Sequence, residues 1–358
     1  PAGDDIMKFI VPLFMFFSAI LSIAQDIGGK KYLIEDVPAV RQKSDFCGEA
    51  CVEMYLRKLG LDITQDEVFN VSGLDPALGR GCYTGELLNA LKNLGFKLGD
   101  ITEICARIDP SKPLELDAGF KKMLDDLKAG RPSIVCMHYA DLPGSPEHFR
   151  LVVGYDAEKD EIYYNEPAED DGAGRKMGRA LFIKLWPLKY STDKWTLVRI
   201  PLDADKAGIK VPERKKPIAR KIIGKTGCIE EVRSNPFTNA DYMQHVRMLK
   251  ETYSDARLQY AVEPPFVVAG NLEPAAMKIC CEKTVRWTVS RLMKSYFEYC
   301  PPRILTIWLL KDAKSYGEYC KLITGGEPDT PYGFFSDQKD ALIMNIATGG
   351  GTLVHEIV

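Results

Sequence analysis

Cys47 is the residue whose type and position first imply chemistry. It lies in Gln42-Lys43-Ser44-Asp45-Phe46-Cys47-Gly48-Glu49-Ala50-Cys51, where a polar, turn-prone segment gives way to a helical period. Ala50, Cys51, Met54, Tyr55 and Leu59 recur at the spacing of one buried helix face. Glu49, Glu53 and Arg57 are expected to run down the opposite face, with Glu53 and Arg57 paired at i, i+4. Gly60 is a natural end for the helix. Cys47 therefore falls in the first turn, where unpaired N–H groups and the positive dipole end favour thiolate over thiol. A lone cysteine is most often a small buried apolar residue. Gln42 alters that reading, because its side-chain amide can donate to an oxyanion formed beside Cys47, with the Cys47 N–H as second donor.

A thiolate nucleophile needs a base and a group to orient that base. His148 to Tyr155 reads as a strand, Asp156 to Asp160 as a turn, and Glu161 to Pro167 as the returning strand. A hairpin of this shape makes His148 a neighbour of Asn165 and Glu166. His138 is a rival base, but it closes an apolar run, Arg131 to His138, instead of opening the hairpin.

The Gln…Cys-Gly-x-Ala segment, the His-Phe-x-x-Val-Val-Gly-Tyr-Asp strand and the Asn-Glu-Pro-Ala end resemble the papain-like peptidases that process bacteriocin leaders. The nearer likeness is to their free-standing secreted relatives, the family thirty-nine-like cysteine peptidases, over roughly residues 31 to 200. The resemblance implies Cys47 as nucleophile, His148 as base and Gln42 for the oxyanion hole. The family's third member is the acidic residue of an Asp-Pro pair, and the matching position here reads Glu166-Pro167. Since papain-like enzymes also use Asn, either Glu166 or Asn165 would orient the imidazole. A second departure is Glu49, which stands where the family often has Pro.

These residues need elements to hold them, and a chain of 358 residues, 46% hydrophobic, is ample for two domains with real cores. The expected architecture is α+β: a papain-like domain at 31–200, with the Cys47 helix packed on an antiparallel sheet, and a second α+β domain at 234–358. Met7 to Ala24 has the basic start, apolar run and small-residue end of a signal peptide, with Gln25 as the mature N-terminus. The protein is thus expected to be secreted or periplasmic, without stable membrane insertion after cleavage. Its 10 dispersed cysteines include no CxxC pair, which excludes a zinc ribbon. A net charge of -3 leaves no electrostatic footprint for nucleic acid.

Between the two chemical stretches, Thr64 to Val71 reads as a short helix opened by a capping box. Thr84 to Leu94 and Asp117 to Ala129 read as amphipathic helices, and Asp170 to Gly178 as a polar surface loop. Residues 201–233 are rich in Lys and Arg and read as a solvated linker. In the second domain, Asp241 to Asp255 and Glu273 to Glu298 read as helices, and Arg303 to Leu310, Tyr332 to Phe335 and Ala341 to Ile346 as strands. Tyr260 to Ala269 reads as extended, with Pro264 and Pro265 placing it at a sheet edge.

Leu353 to Val358 reads as the start of a helix, and His355-Glu356 there is half of an H-E-x-x-H motif. It resembles the opening of a zinc peptidase, which implies His355 as a metal ligand and Glu356 as general base in a longer form. The reading frame is expected to continue past Val358, and this chain by itself to hold no catalytic zinc and no cofactor. The expected activity is peptide-bond hydrolysis through an acyl-enzyme on a peptide or protein substrate. Amidase or transglutaminase-type acyl transfer on the same fold is the alternative within the class. A catalytically inactive peptide-binding module is the alternative outside it.

Overall fold

The computed structural model describes residues 31–191, 194–214, 235–254, 257–295 and 300–357. The expected signal peptide and most of the basic linker lie outside them. The chain forms two compact units, one made of residues 31–39 and 99–202, the other of 40–98 together with the residues described after 202. The sequence-based boundaries at 31–200, 201–233 and 234–358 run in order along the chain, whereas the compact units interleave.

In the unit that begins at Val40, α1 (Cys47–Lys58) starts at Cys47, after a turn closed by the Phe46 N–H on the Lys43 carbonyl at 3.0 Å. It ends in a Schellman motif: Gly60 takes φ 72°, its N–H bonds the Arg57 carbonyl, and the Leu61 N–H bonds the Leu56 carbonyl, both at 2.9 Å. The α2 helix (Gln65–Asn70) opens on the expected Thr64–Glu67 capping box. The α3 helix (Thr84–Leu94) stops at Gly95, whose φ of 95° suits only glycine well. Phe46 stacks on Phe69 with ring centroids 5.0 Å apart, joining the start of α1 to α2. The two-faced reading of α1 fails, however. Glu49 and Glu53 are 0% and 2% exposed, so the helix is buried on both faces. Their partners lie far along the chain, where helical spacing carries no signal.

The other unit is an eight-stranded antiparallel sheet: β1 (Lys31–Leu33), β2 (Cys105–Ile108), β3 (Ser133–His138), β4 (Glu147–Asp156), β5 (Glu161–Asn165), β6 (Arg175–Gly178), β7 (Leu188–Ser191) and β8 (Lys194–Pro201). The strand order is β2-β8-β3-β4-β5-β6, with β1 beside β4 and β7 beside β8. The segment expected as a polar surface loop thus contributes β6, because its backbone completes the free edge of β5. A short helix α4 (Ile101–Ile104) precedes β2. The α5 helix (Pro113–Lys128) begins four residues before the expected start, with Pro113 in its first turn, where a missing N–H costs nothing. With α6 (Arg179–Leu185) it covers one sheet face. Phe120, Met123 and Leu127 of α5 and Phe182 and Leu185 of α6 pack with Trp186 on Val135, Met137, Val152, Tyr155, Ile162 and Leu197.

Within the Val40 unit, α7 (Asn239–Thr252) docks on α2 and on the turn at Pro76–Leu78 through the Ala240 N–H to Asn70 Oδ1 at 2.8 Å and Lys250 Nζ to the Leu78 carbonyl at 2.6 Å. Further contacts between residues 40–98 and the stretch after 202 include the Lys97 N–H to the Asp203 carbonyl at 2.9 Å and the Lys210 N–H to the Leu94 carbonyl at 2.9 Å. A five-stranded sheet follows: β9 (Gln259–Glu263), β10 (Phe266–Gly270), β11 (Leu305–Leu310), β12 (Gly333–Ser336) and β13 (Ala341–Asn345), ordered β12-β13-β11-β10-β9. The β10, β11 and β13 strands are parallel. Pro264 and Pro265 form the turn of a β9–β10 hairpin, since neither can donate to a ladder. The expected long helix is α8 (Pro274–Cys280), a π turn at Cys281–Val285 and α9 (Arg286–Ser295). The α10 helix (Ala313–Thr324) was not foreseen, and α11 (Gly351–Ile357) carries His355 and Glu356.

Trp186 is the largest fully buried side chain of the sheet unit, and its indole N–H donates to the Val198 carbonyl at 3.0 Å. Trp186→Ala should cost about 3–5 kcal/mol. Denaturant unfolding followed by near-ultraviolet circular dichroism checks this, and an unchanged midpoint would refute the packing described.

Candidate active site

In the sheet unit, His148 sits one residue inside the start of β4, and Glu166 follows β5 directly. The imidazole Nε2 lies 2.5 Å from Glu166 Oε1, and both side chains are buried. The same carboxylate accepts from the Ala168 N–H at Oε1 (3.1 Å) and from Arg150 Nε at Oε2 (2.6 Å). Asn165, the alternative orienting residue, spends its amide elsewhere: Nδ2 donates to the Val37 carbonyl at 3.0 Å, and Oδ1 accepts from the Gly174 N–H at 2.9 Å. It is Glu166 that touches the ring. The rival base His138 closes β3 and has Nδ1 3.4 Å from the Ser145 carbonyl.

A one-residue bulge produces this meeting. The β4–β5 register runs Asp156↔Glu161, Tyr155↔Ile162 and Gly154↔Tyr163, then shifts to Val152↔Tyr164 and Leu151↔Asn165. Val152 and Tyr155 consequently share one face although three residues apart, and both join the core under α5. Beyond the bulge that face continues through Arg150 to His148. On β5 it continues through Ile162 and Tyr164 to Glu166. Without the bulge, Glu166 would share a face with Leu151 and Phe149, away from the imidazole. Close backbone packing fixes the end of β5: the Glu166 N–H donates to the Gly172 carbonyl at 2.8 Å. A Cβ on Gly172 would lie 1.9 Å from the Glu166 carbonyl oxygen.

Burial alone would raise the Glu166 carboxyl. The hydrogen bond from His148, the charges of His148 and Arg150 and the Ala168 N–H outweigh it and hold the group below the usual carboxylate range. Glu166 is therefore an ionised acceptor for the ring. Because the bond uses Nε2, Nδ1 is the ring nitrogen left to exchange a proton.

Gln42 and Cys47 are carried by the other unit. Cys47 occupies the first position of α1, as the sequence predicts. Gln42 is held by a clamp on its two neighbours: the Lys43 N–H donates to Gln65 Oε1 at 2.8 Å, and Gln65 Nε2 donates to the Arg41 carbonyl at 3.1 Å. The Gln65 N–H in turn donates to buried Glu53 Oε2 at 2.7 Å, and Glu53 makes its expected pair with Arg57 at 2.5 Å. The Gln42 Oε1 atom is buried without a hydrogen-bond partner. His355 and Glu356 lie on α11, and the described residues contain no group of three or more His, Cys, Asp or Glu placed to hold a metal ion. The nine described cysteines are thiols.

Residues 34–192 match the Peptidase_C39 like family. The match falls on the stretch whose motifs carry the resemblance, and it supports cysteine peptidase function and a peptide substrate. Among solved structures, the chain is similar to the peptidase domain of Streptococcus ComA, a bi-functional ABC transporter involved in a quorum sensing pathway. The two are 16% identical with a TM-score of 0.29, over 46% of this chain and 99% of that domain. No curated protein matches.

Glu49, the departure from the resembled peptidase motif, is held by the segment that follows it in space. Its Oε1 accepts from the Cys82 N–H at 2.8 Å, while Oε2 is buried without a partner. Gly81 permits that approach, since a Cβ there would lie 1.8 Å from the Asp45 carbonyl oxygen. Burial raises the Glu49 carboxyl from 4.5 to about 7, against the opposing pull of the Cys82 N–H. The folded-state value lies above the ordinary one. Its contribution to stability is therefore complete below about pH 4.5 and is lost as pH rises through about 7. The loss is on the order of 3 kcal/mol. Glu49→Gln should accordingly raise the melting temperature at pH 8 and change it little at pH 4.5. Thermal unfolding of both proteins at both pH values checks this, and an equal shift at the two would overturn the assignment.

Proposed function

We propose that this chain is a thiol peptidase in which Cys47 attacks a peptide carbonyl. The thiol gives its proton to His148, and the thiolate adds to the carbonyl carbon. The Gln42 amide and the Cys47 N–H stabilise the oxyanion. Protonated His148 then returns its proton to the leaving amine, and water hydrolyses the acyl-enzyme. Glu166 orients the ring and stabilises the imidazolium, the part Asp plays in the resembled family. The observation that carries the reading is the buried Nε2 to Oε1 contact of 2.5 Å, to a carboxylate that the His148 hydrogen bond and the charges of His148 and Arg150 hold below the usual range. An imidazole so placed has its proton positions assigned, which a merely structural histidine does not require.

At pH 7 iodoacetamide should modify Cys47 faster than the other cysteines, His148→Ala should slow that reaction, and Cys47→Ala should abolish hydrolysis across a peptide library. If Cys47 reacts no faster than the rest and Cys47→Ala still hydrolyses, the proposal is wrong. Selective alkylation without turnover by any library peptide would favour a binding module.

The export signal read at residues 7–24 extends the proposal to a secreted or periplasmic enzyme. N-terminal sequencing of the protein recovered from outside the cytoplasm should then begin at Gln25, and a chain retaining Met7 would contradict it.

A further inference from the structure

We propose that Arg150 is a positioning residue for the His148–Glu166 pair, fixing the Glu166 carboxylate so that Oε1 faces the imidazole. The proposal rests on the thiol peptidase reading. Neither helical nor strand spacing marks Arg150 in the sequence, yet the residue is 4% exposed and spends its guanidinium on three acceptors. The Nε–H donates to Glu166 Oε2 at 2.6 Å, Nη1 to the His138 carbonyl at 3.2 Å and Nη2 to the Tyr139 carbonyl at 2.8 Å. Its planar head also lies 5.3 Å from the Tyr139 ring centroid and 5.5 Å from that of Tyr164. The fork is thus anchored to the end of β3 before it reaches the carboxylate.

The need for such an anchor follows from the residue it holds. Glutamate has one more methylene than the aspartate of the resembled motif, and so one more torsion to fix. A carboxylate bound only through Oε1 is free to turn about its last bond. Binding Oε2 as well removes that freedom, and the fixed geometry of an arginine fork does this better than an ammonium. Arg150 also supplies the counter-charge that a buried carboxylate requires. Tyr139 packs edge-on to the imidazole, with centroids 5.1 Å apart, so one chain segment braces the ring and the arginine together.

The test reads the hydrogen bond itself. In Cys47→Ala protein at low temperature, the proton shared by His148 Nε2 and Glu166 should give a downfield, slowly exchanging resonance. Arg150→Met should abolish that resonance or speed its exchange with water by about tenfold or more. Amide resonances of β3, β4 and β5 should keep their positions. Arg150→Lys, which retains charge without the fork, should give an intermediate exchange rate and serves alone if the methionine variant does not fold. A resonance with unchanged exchange in whichever variant folds would overturn the inference. Iodoacetamide alkylation of Cys47 at about pH 6, where an unactivated thiol is inert, separates the two levels. If His148→Ala fails to slow it, the peptidase reading has failed while the proton measurement still judges Arg150. If His148→Ala slows it and neither Arg150 variant does, the inference fails alone.

Discussion

The buried carboxylate of Glu166 is the constraint on which the sheet unit depends. An ionised group in that environment costs several kcal/mol unless it is paired and hydrogen-bonded. Here it receives His148, Arg150 and the Ala168 N–H together. The donors come from two places: β4 supplies two side chains, and the turn after β5 supplies the backbone group. Their convergence requires the bulge between Val152 and Gly154, which moves His148 and Arg150 onto the face of Glu166. The site and the irregularity in the hairpin are one feature.

Glu49 shows what the same burial does without a cation. It has one N–H donor and an unpartnered oxygen, and its carboxyl moves up, while that of Glu166 moves down. The two glutamates therefore push stability in opposite directions with pH. Glu166 favours the fold above the usual carboxylate range and loses that contribution as pH falls through its depressed value. Glu49 favours the fold in acid and loses its contribution on the way to neutrality. Between them lies the weakly acidic range in which neither is strongly penalised.

Local signals in the sequence are informative where their partners are near in the chain. Cys47 at the helix start, Gly60 as its end, the Thr64–Glu67 box and the β4–β5 hairpin all rest on contacts within a few residues. The α10 helix carried the same kind of signal, an Asp312–Ser315 box and Gly325 at φ 87°, and could have been found from it. What escaped depends on distance. Glu49 and Glu53 look like surface residues because Cys82 and Gln65 lie 33 and 12 positions away. Arg150 interrupts an apolar strand and reads as a flaw until His138, Tyr139 and Glu166 are placed around it. The choice between Asn165 and Glu166 needed the bulge, because adjacent residues of a strand face opposite ways and only the register says which faces the ring.

The same division explains how Gln42 is held. A side chain proposed to donate to a transient charge cannot be fixed by that charge, so its backbone must be fixed beforehand. Gln65 does this by bonding the residues on both sides of Gln42, and Glu53 fixes Gln65 through its N–H. The chain of contacts ends on Arg57, one turn beyond Glu53 on the helix that Cys47 begins. The proposed nucleophile and the proposed oxyanion donor are thereby tied to one helix by two routes, the backbone from Lys43 to Cys47 and the polar path through Gln65. A substitution at Gln65 or Glu53 would act on Gln42 without touching substrate. The candidates for the chemistry are thus recognisable by type, and the residues that position them are recognisable only by what they hold.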